Sequence, residues 1–219
     1  MDNILDKFGI YDFFALLLPG MFFIVMLVFI DFPLINEFSY PDSETIQVVA
    51  FILISYICGS IIQEIGSIID KNTTKIRISA RQKYLNDKEF SESQREKVKS
   101  LVNELLGKET DYTPKDNEYE DVFFKCKEYL EDEEKIEKAD KLDAIFAMSR
   151  DFIVCNIFLI ICIPINMYIH RTDIARDIIC LLLLIFLSFP YYQRAKRYAS
   201  MRVRCIFRRY MICQKSNEK

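Results

Sequence analysis

Residues Ile46–Ile62 read IQVVAFILISYICGSII, 17 positions without a charge, and the apolar character continues past Gln63 and Glu64 to Ile69. A bilayer core takes about 17–25 residues of helix, so this stretch is long enough to cross one. Three further runs share the property. Phe13–Ile30 (FFALLLPGMFFIVMLVFI) and Phe152–Ile169 (FIVCNIFLIICIPINMYI) each hold 18 uncharged residues. Ile178–Tyr192 (IICLLLLIFLSFPYY) holds 15 and reaches 19 when Ile174–Asp177 are added. Buried core helices compete as a reading for any one run, but poorly for four together. The expected fold is therefore all-α: an integral membrane protein with four transmembrane helices near 13–30, 46–69, 152–169 and 174–192. Lys7 is the sole cation upstream of the first run, which does not suit a cleaved signal peptide.

Averages hide this pattern. The chain has 219 residues, a net charge of −3, a pI near 5.4 and a mean hydropathy of +0.08. Placed along the chain, the charges separate. The Asp31–Thr45 loop carries Asp31, Glu37, Asp42 and Glu44 and no Lys or Arg, and the Asn166–Asp177 loop has only Arg171 and Arg176. By contrast, residues 71–150 hold 17 Lys and Arg, and residues 191–219 hold nine. Basic flanks stay in the cytoplasm, so both termini and the 71–150 segment are expected on the cytoplasmic side of the membrane. Four spans and two internal termini agree in parity. The expected organisation is a transmembrane hairpin (1–70), a cytoplasmic helical segment (71–150), a second hairpin (151–192) and a basic cytoplasmic tail (193–219).

Within 71–150 the apolar residues follow helical spacing. Ser91 with Gln94 offers a capping box, Val98, Leu101, Val102, Leu105 and Leu106 form a stripe, and Gly107 ends it. A second helix over Asn117–Asp132 puts Tyr119, Val122, Phe123, Cys126, Tyr129 and Leu130 on one face. A third pattern from Ile136 enters the third span with no break signal. In the tail, Ala195, Ala199, Val203, Ile206, Tyr210 and Cys213 form an apolar face flanked by Arg194, Lys196, Arg197, Arg202, Arg204, Arg208 and Arg209. That pattern reads as a basic amphipathic helix on anionic lipid, or as a dock for an acidic partner. Direct nucleic-acid binding is not expected.

Signatures of catalysis are missing. The five glycines are too dispersed for a phosphate-binding loop, there is no G-x-S-x-G, and His170 is the single histidine. An Arg-x4–6-His ribonuclease motif would need arginine at 163–165, where the chain has Ile163, Pro164 and Ile165. The seven cysteines include no C-x-x-C pair, and neither external loop contains one, so they read as apolar packing residues. The expectation is a protein without catalytic residues, metal or cofactor.

Polar residues inside the spans carry the functional signal. Span two places Ser55, Gly59, Gln63, Gly66 and Asp70 at steps of three or four, a face suited to close helix approach. Glu64 is the one acid well inside a span, about 9 Å from Asp70 at 1.5 Å per residue. Asn156, the Pro19-Gly20 pair (an expected helix kink) and Ser188 with Pro190 lie at similar depth. Gln63, Glu64 and Asn156 thus suggest either a hydrogen-bonded layer fixing the bundle or the lining of a pore on an oligomer axis.

Tyr11-Asp12 followed by Pro19-Gly20, then Tyr56, Gly59, Gln63 and Gly66 in span two, resemble features of small bacterial inner-membrane proteins. The Ala139-Asp140 to Arg150 entry into span three and the Arg/Tyr-rich tail extend the likeness. Such four-span proteins resemble accessory membrane components of antiphage systems, including type VI-B CRISPR loci. The resemblance implies a defence role through membrane perturbation or recruitment, and no catalytic residues. The expected function is a homo-oligomeric pore or membrane-perturbing effector in antiviral defence. A membrane anchor or scaffold recruiting a cytosolic defence protein is the alternative, and an unrelated small channel or transporter subunit the third. Membrane lipids and further copies of the chain are the expected partners.

Overall fold

The computed structural model describes residues 13–32, 43–82, 92–109, 112–170 and 174–217. Among these, all regular structure is helical: α1 (Leu18–Phe29), α2 (Glu44–Ile69), α3 (Ile76–Gln82), α4 (Glu92–Leu106), α5 (Asp116–Asp132), α6 (Glu137–His170) and α7 (Ile174–Asn217). Five-residue π turns precede α1 (Phe13–Leu17) and follow α2 (Asp70–Thr74). Tyr11, Asp12, Ser91 and most of the acidic 31–45 loop lie outside the described residues.

Among the described residues, three helical stretches are long and apolar enough to cross a membrane: Glu44–Thr74, Glu137–Ile169 and Ile174–Gln214. The first apolar run forms a shorter helix, Ala15–Phe29. Its irregularity sits before Pro19 rather than as a break in mid-helix. Pro19 has no N–H and its ring crowds the carbonyl four residues back, so the preceding turn widens into the π geometry. The helix then runs unbroken.

The chain divides into two compact units: one of residues up to Ile69 with Ala144–Ala195, the other of Asp70–Asp143 with Lys196–Lys219. Helices α6 and α7 each contribute to both. In the second unit the helix patterns meet one another. Val98 and Val102 of α4, Val122, Phe123, Cys126 and Leu130 of α5, and Val203, Ile206 and Phe207 of α7 form one buried cluster. Phe123 meets Phe207 edge-on at 6.1 Å, and Tyr129 meets Tyr210 at 5.1 Å. Gly107, at φ 63°, ends α4 in the left-handed conformation that glycine adopts without strain. Beyond it, buried Asn103 donates to the Glu109 and Tyr112 carbonyls at 3.1 and 2.9 Å and so pins the turn.

This cluster corrects the expected tail. Residues 193–217 are not a separate surface helix: α7 is continuous over 44 residues, and Val203, Ile206, Tyr210 and Cys213 are covered by α4 and α5. An apolar stripe records that a face is buried; it does not record whether lipid or protein covers it.

Candidate functional site in the apolar helices

The first unit is held by small residues and by polar groups aimed at backbone. A side chain at Gly20 would collide with the Ser55 carbonyl, and one at Gly59 with the Leu16 carbonyl. Glycines on both helices therefore let α2 lie against α1 and the turn before it at backbone distance. Ser55 is fully buried in this contact.

One helical turn beyond Gly59, α2 faces α6 through Gln63 and Gly66. Arg150 Nε donates to Asp151 Oδ1 at 2.7 Å, and Arg150 Nη2 donates to the Gln63 carbonyl at 3.1 Å. A Cβ on Gly66 would stand 2.6 Å from Asp151 Oδ1 and 2.8 Å from Arg150 Nε. The glycine is the notch that seats this buried ion pair. The Phe146 ring centroid lies 5.9 Å from the Arg150 guanidinium carbon. Such a pair contributes little net stability against an apolar replacement, but removing one partner strands the other charge.

Farther along α6, Cys155 Sγ donates to the Pro19 carbonyl at 3.5 Å. Phe152 packs edge-on against Phe22 at 5.1 Å and stacks on Tyr191 at 4.9 Å. Asn156 turns toward α7: its Nδ2 donates to Ser188 Oγ at 3.1 Å and to the Leu184 carbonyl at 3.4 Å. At the other end of these helices Asn166 donates to the Ile30 carbonyl at 2.6 Å, closing the end of α1. Arg176 bridges Asp31 at 3.2 Å and Asp177 at 3.4 Å, joining the ends of the two hairpins.

The expected polar layer of Gln63, Glu64 and Asn156 is thereby split. Gln63 is half-buried and lends its carbonyl to Arg150, Asn156 is buried against α7, and Glu64 is exposed. Depth was legible from residue counting, but azimuth decides contact. At about 100° per residue, Glu64 lies about 140° from Gly59 and about 160° from Gly66. With both glycines facing inward, Glu64 must face outward. It shares that side with Ile57, Ile61 and Ile68.

The basic set of the tail divides similarly. Arg194, Lys196, Arg197 and Arg208 are exposed and Arg204 is half-buried. Arg202 and Arg209, expected among the lipid or partner contacts, instead serve the second unit internally. Arg202 Nη1 lies 3.2 Å from Asp143 Oδ1, which also accepts from Arg77 Nη2 at 3.0 Å. Arg209 Nη1 donates to the Lys135 carbonyl at 2.6 Å. Arg81 pairs with Glu120 at 2.9 Å and lies over Phe124, its carbon 4.9 Å from the ring centroid. Burial pulls its pKa below the ordinary arginine value while Glu120 opposes the shift. Among the described residues, no group of three His, Cys, Asp or Glu side chains is placed to hold a metal ion.

No family model, curated protein or solved structure matches this chain. The residues that sequence reasoning passed over are Arg150 and Asp151, which read as charges at a span boundary, and Asn166 and Arg176. For Arg150 and Asp151 the one visible signal was Gly66, whose reason for being small is the ion pair opposite it.

Proposed function

We propose that this chain is a four-span inner-membrane protein that assembles with copies of itself into a pore or membrane-perturbing effector of bacterial antiviral defence. Both termini, residues 71–150 and the tail then lie in the cytoplasm. The asymmetry of Lys and Arg supports that orientation. The short first run serves as a span when the 5-residue π turn adds to the 12 residues of α1, at the lower end of what a bilayer needs. The defence role rests on the resemblance of the Pro19-Gly20, Gly59, Gln63 and Gly66 pattern to accessory membrane proteins of antiphage loci.

The observation that carries the assembly is Glu64, exposed on an apolar helix of membrane-crossing length. An acid at the very centre of a membrane helix costs about 2.5–3.5 kcal/mol on insertion scales, and Glu64, about 9 Å inside the boundary at Asp70, carries part of that cost, which water or another protein surface offsets. The interior around Asn156 is filled by Leu184 and Ser188, so a permeation path between subunits suits the geometry better than one through a single protomer. No catalytic step is proposed.

Ion flux from liposomes holding the purified full chain tests the proposal. Flux is expected from the unaltered protein, and Glu64→Leu is expected to reduce it severalfold. Flux absent at every lipid composition and with every added cytosolic defence protein would favour the scaffold instead. That second reading draws on the exposed Arg194, Lys196, Arg197 and Arg208 as a dock for an acidic protein.

A further inference from the structure

We infer that the outward face of α2 is the seam between two copies of this chain, with Glu64 hydrogen-bonded to Ser60 of the partner subunit. The inference rests on the oligomeric membrane reading above and names the surface that makes the assembly. Leu53, Ile57, Ile61, Glu64 and Ile68 recur at steps of three or four and all are exposed, Ile57 and Ile61 at 58% and 56%. The opposite side of the helix is already closed by Ser55, Gly59 and Gly66.

Exposure alone does not select this face, because α7 exposes a comparable one through Ile179, Leu182, Leu183 and Phe186. The difference is chemical. The α7 face is wholly apolar, and lipid chains satisfy it without further help. The α2 face carries a carboxyl group that makes no hydrogen bond or ion pair among the described residues, and an exposed hydroxyl one turn away at Ser60. Lipid chains offer neither group a partner. A second copy does, because membrane insertion gives both copies the same direction. In a parallel two-fold pair equivalent positions stand level and side chains lean toward the helix N-terminus, so each Glu64 extends back along the seam toward Ser60 of the partner subunit and the contact is self-complementary. The β-branched isoleucines around them supply a stiff packing surface that loses little rotamer freedom.

The test uses the full chain in its membrane, with the photo-crosslinker p-benzoylphenylalanine placed at Ile57 or Ile61 and, for comparison, at Leu183. Ultraviolet light should give a dimer from the α2 positions and little from the α7 position. Glu64→Leu should lower the dimer yield about tenfold, the scale of one or two interhelical hydrogen bonds, while Glu64→Gln retains it. Single-molecule photobleaching of labelled protein counts subunits independently. Oligomers without α2 cross-links would overturn the seam and leave the assembly reading standing. Monomers would overturn both. Cross-linking of Ile61 chiefly to a different protein would overturn the choice of a second copy. Dimers cross-linked through α2 in a protein that carries no ions would uphold the seam and remove the pore.

Discussion

The two units of this protein differ in how their helices come together at the closest contacts. In one, backbone meets backbone: Gly20 and Gly59 remove side chains from the α1–α2 contact, and Arg150, Asn156 and Asn166 reach across to carbonyl oxygens. In the other, large side chains fill the space between helices, with Phe123, Phe207, Leu130 and Ile206 fully buried. The contrast follows from the solvent each is suited to. In water, apolar area removed from solvent contributes about 25 cal/mol per Å², so big side chains are the efficient choice. Among lipid chains that driving force vanishes, and close packing and interhelical hydrogen bonds take over. Large side chains are buried in the first unit too, Ile30, Leu159, Ile163 and Leu184 among them, so what distinguishes it is the backbone-to-backbone α1–α2 contact and the side-chain bonds to carbonyl oxygens.

The contrast breaks most visibly under opposite substitutions. Phe123→Ala should cost about 3–5 kcal/mol, because it empties the centre of the second unit's cluster. Loss of the cooperative transition of that unit, followed by hydrogen exchange of α4 and α5 amides, measures it. Adding a single methyl in Gly59→Ala should cost about 3 kcal/mol in the first unit by forcing α1 from α2. Unfolding in detergent or bicelles reads that loss, and a neutral result would mean that the backbone contact is not tight. Gly66→Ala belongs to the same class. It should unseat Arg150 from Gln63 and expose α6 amides near Asp151 to exchange.

Asn156→Leu should cost about 1 kcal/mol, since interhelical hydrogen bonds among membrane helices average about 0.6 kcal/mol. A cost above about 3 kcal/mol would mean that Asn156 serves more than the α7 contact. Cys126 probes the second unit without changing its energy. Burial pushes its thiol up to about 12, so it stays protonated and covered at pH 8. Maleimide should leave Cys126 unmodified in the native protein and label it once α5 is freed, with peptide mass spectrometry as the readout.

Helix positions were legible in the sequence because apolar runs and 3–4 spacing are local properties. The continuity of α6 followed from the lack of any Gly or Pro between Ile136 and Phe152. The small face of α2 was legible for the same reason, as Ser55, Gly59 and Gly66 repeat on one side. What covers a face is not local. The tail stripe at Val203 and Ile206 gave no sign that α4 and α5 would cover it rather than lipid. Depth counting grouped Glu64 with Asn156, and the inward glycines then turned them apart. Arg150 and Asp151, adjacent on one helix, do not ordinarily face each other. Their pairing depends on the notch at Gly66, which lies on another helix.

In the proposed assembly, α2 has one face closed inside the protomer and the other closed by a second copy. The chain contains no tryptophan, so a single one reports without background. Ile61→Trp and Leu183→Trp, each in the full chain reconstituted into vesicles with brominated acyl chains, compare the two exposed faces directly. Strong quenching of Leu183→Trp and several-fold weaker quenching of Ile61→Trp is the predicted result. Equal, deep quenching at both positions would put the outward face of α2 against lipid and exclude the seam.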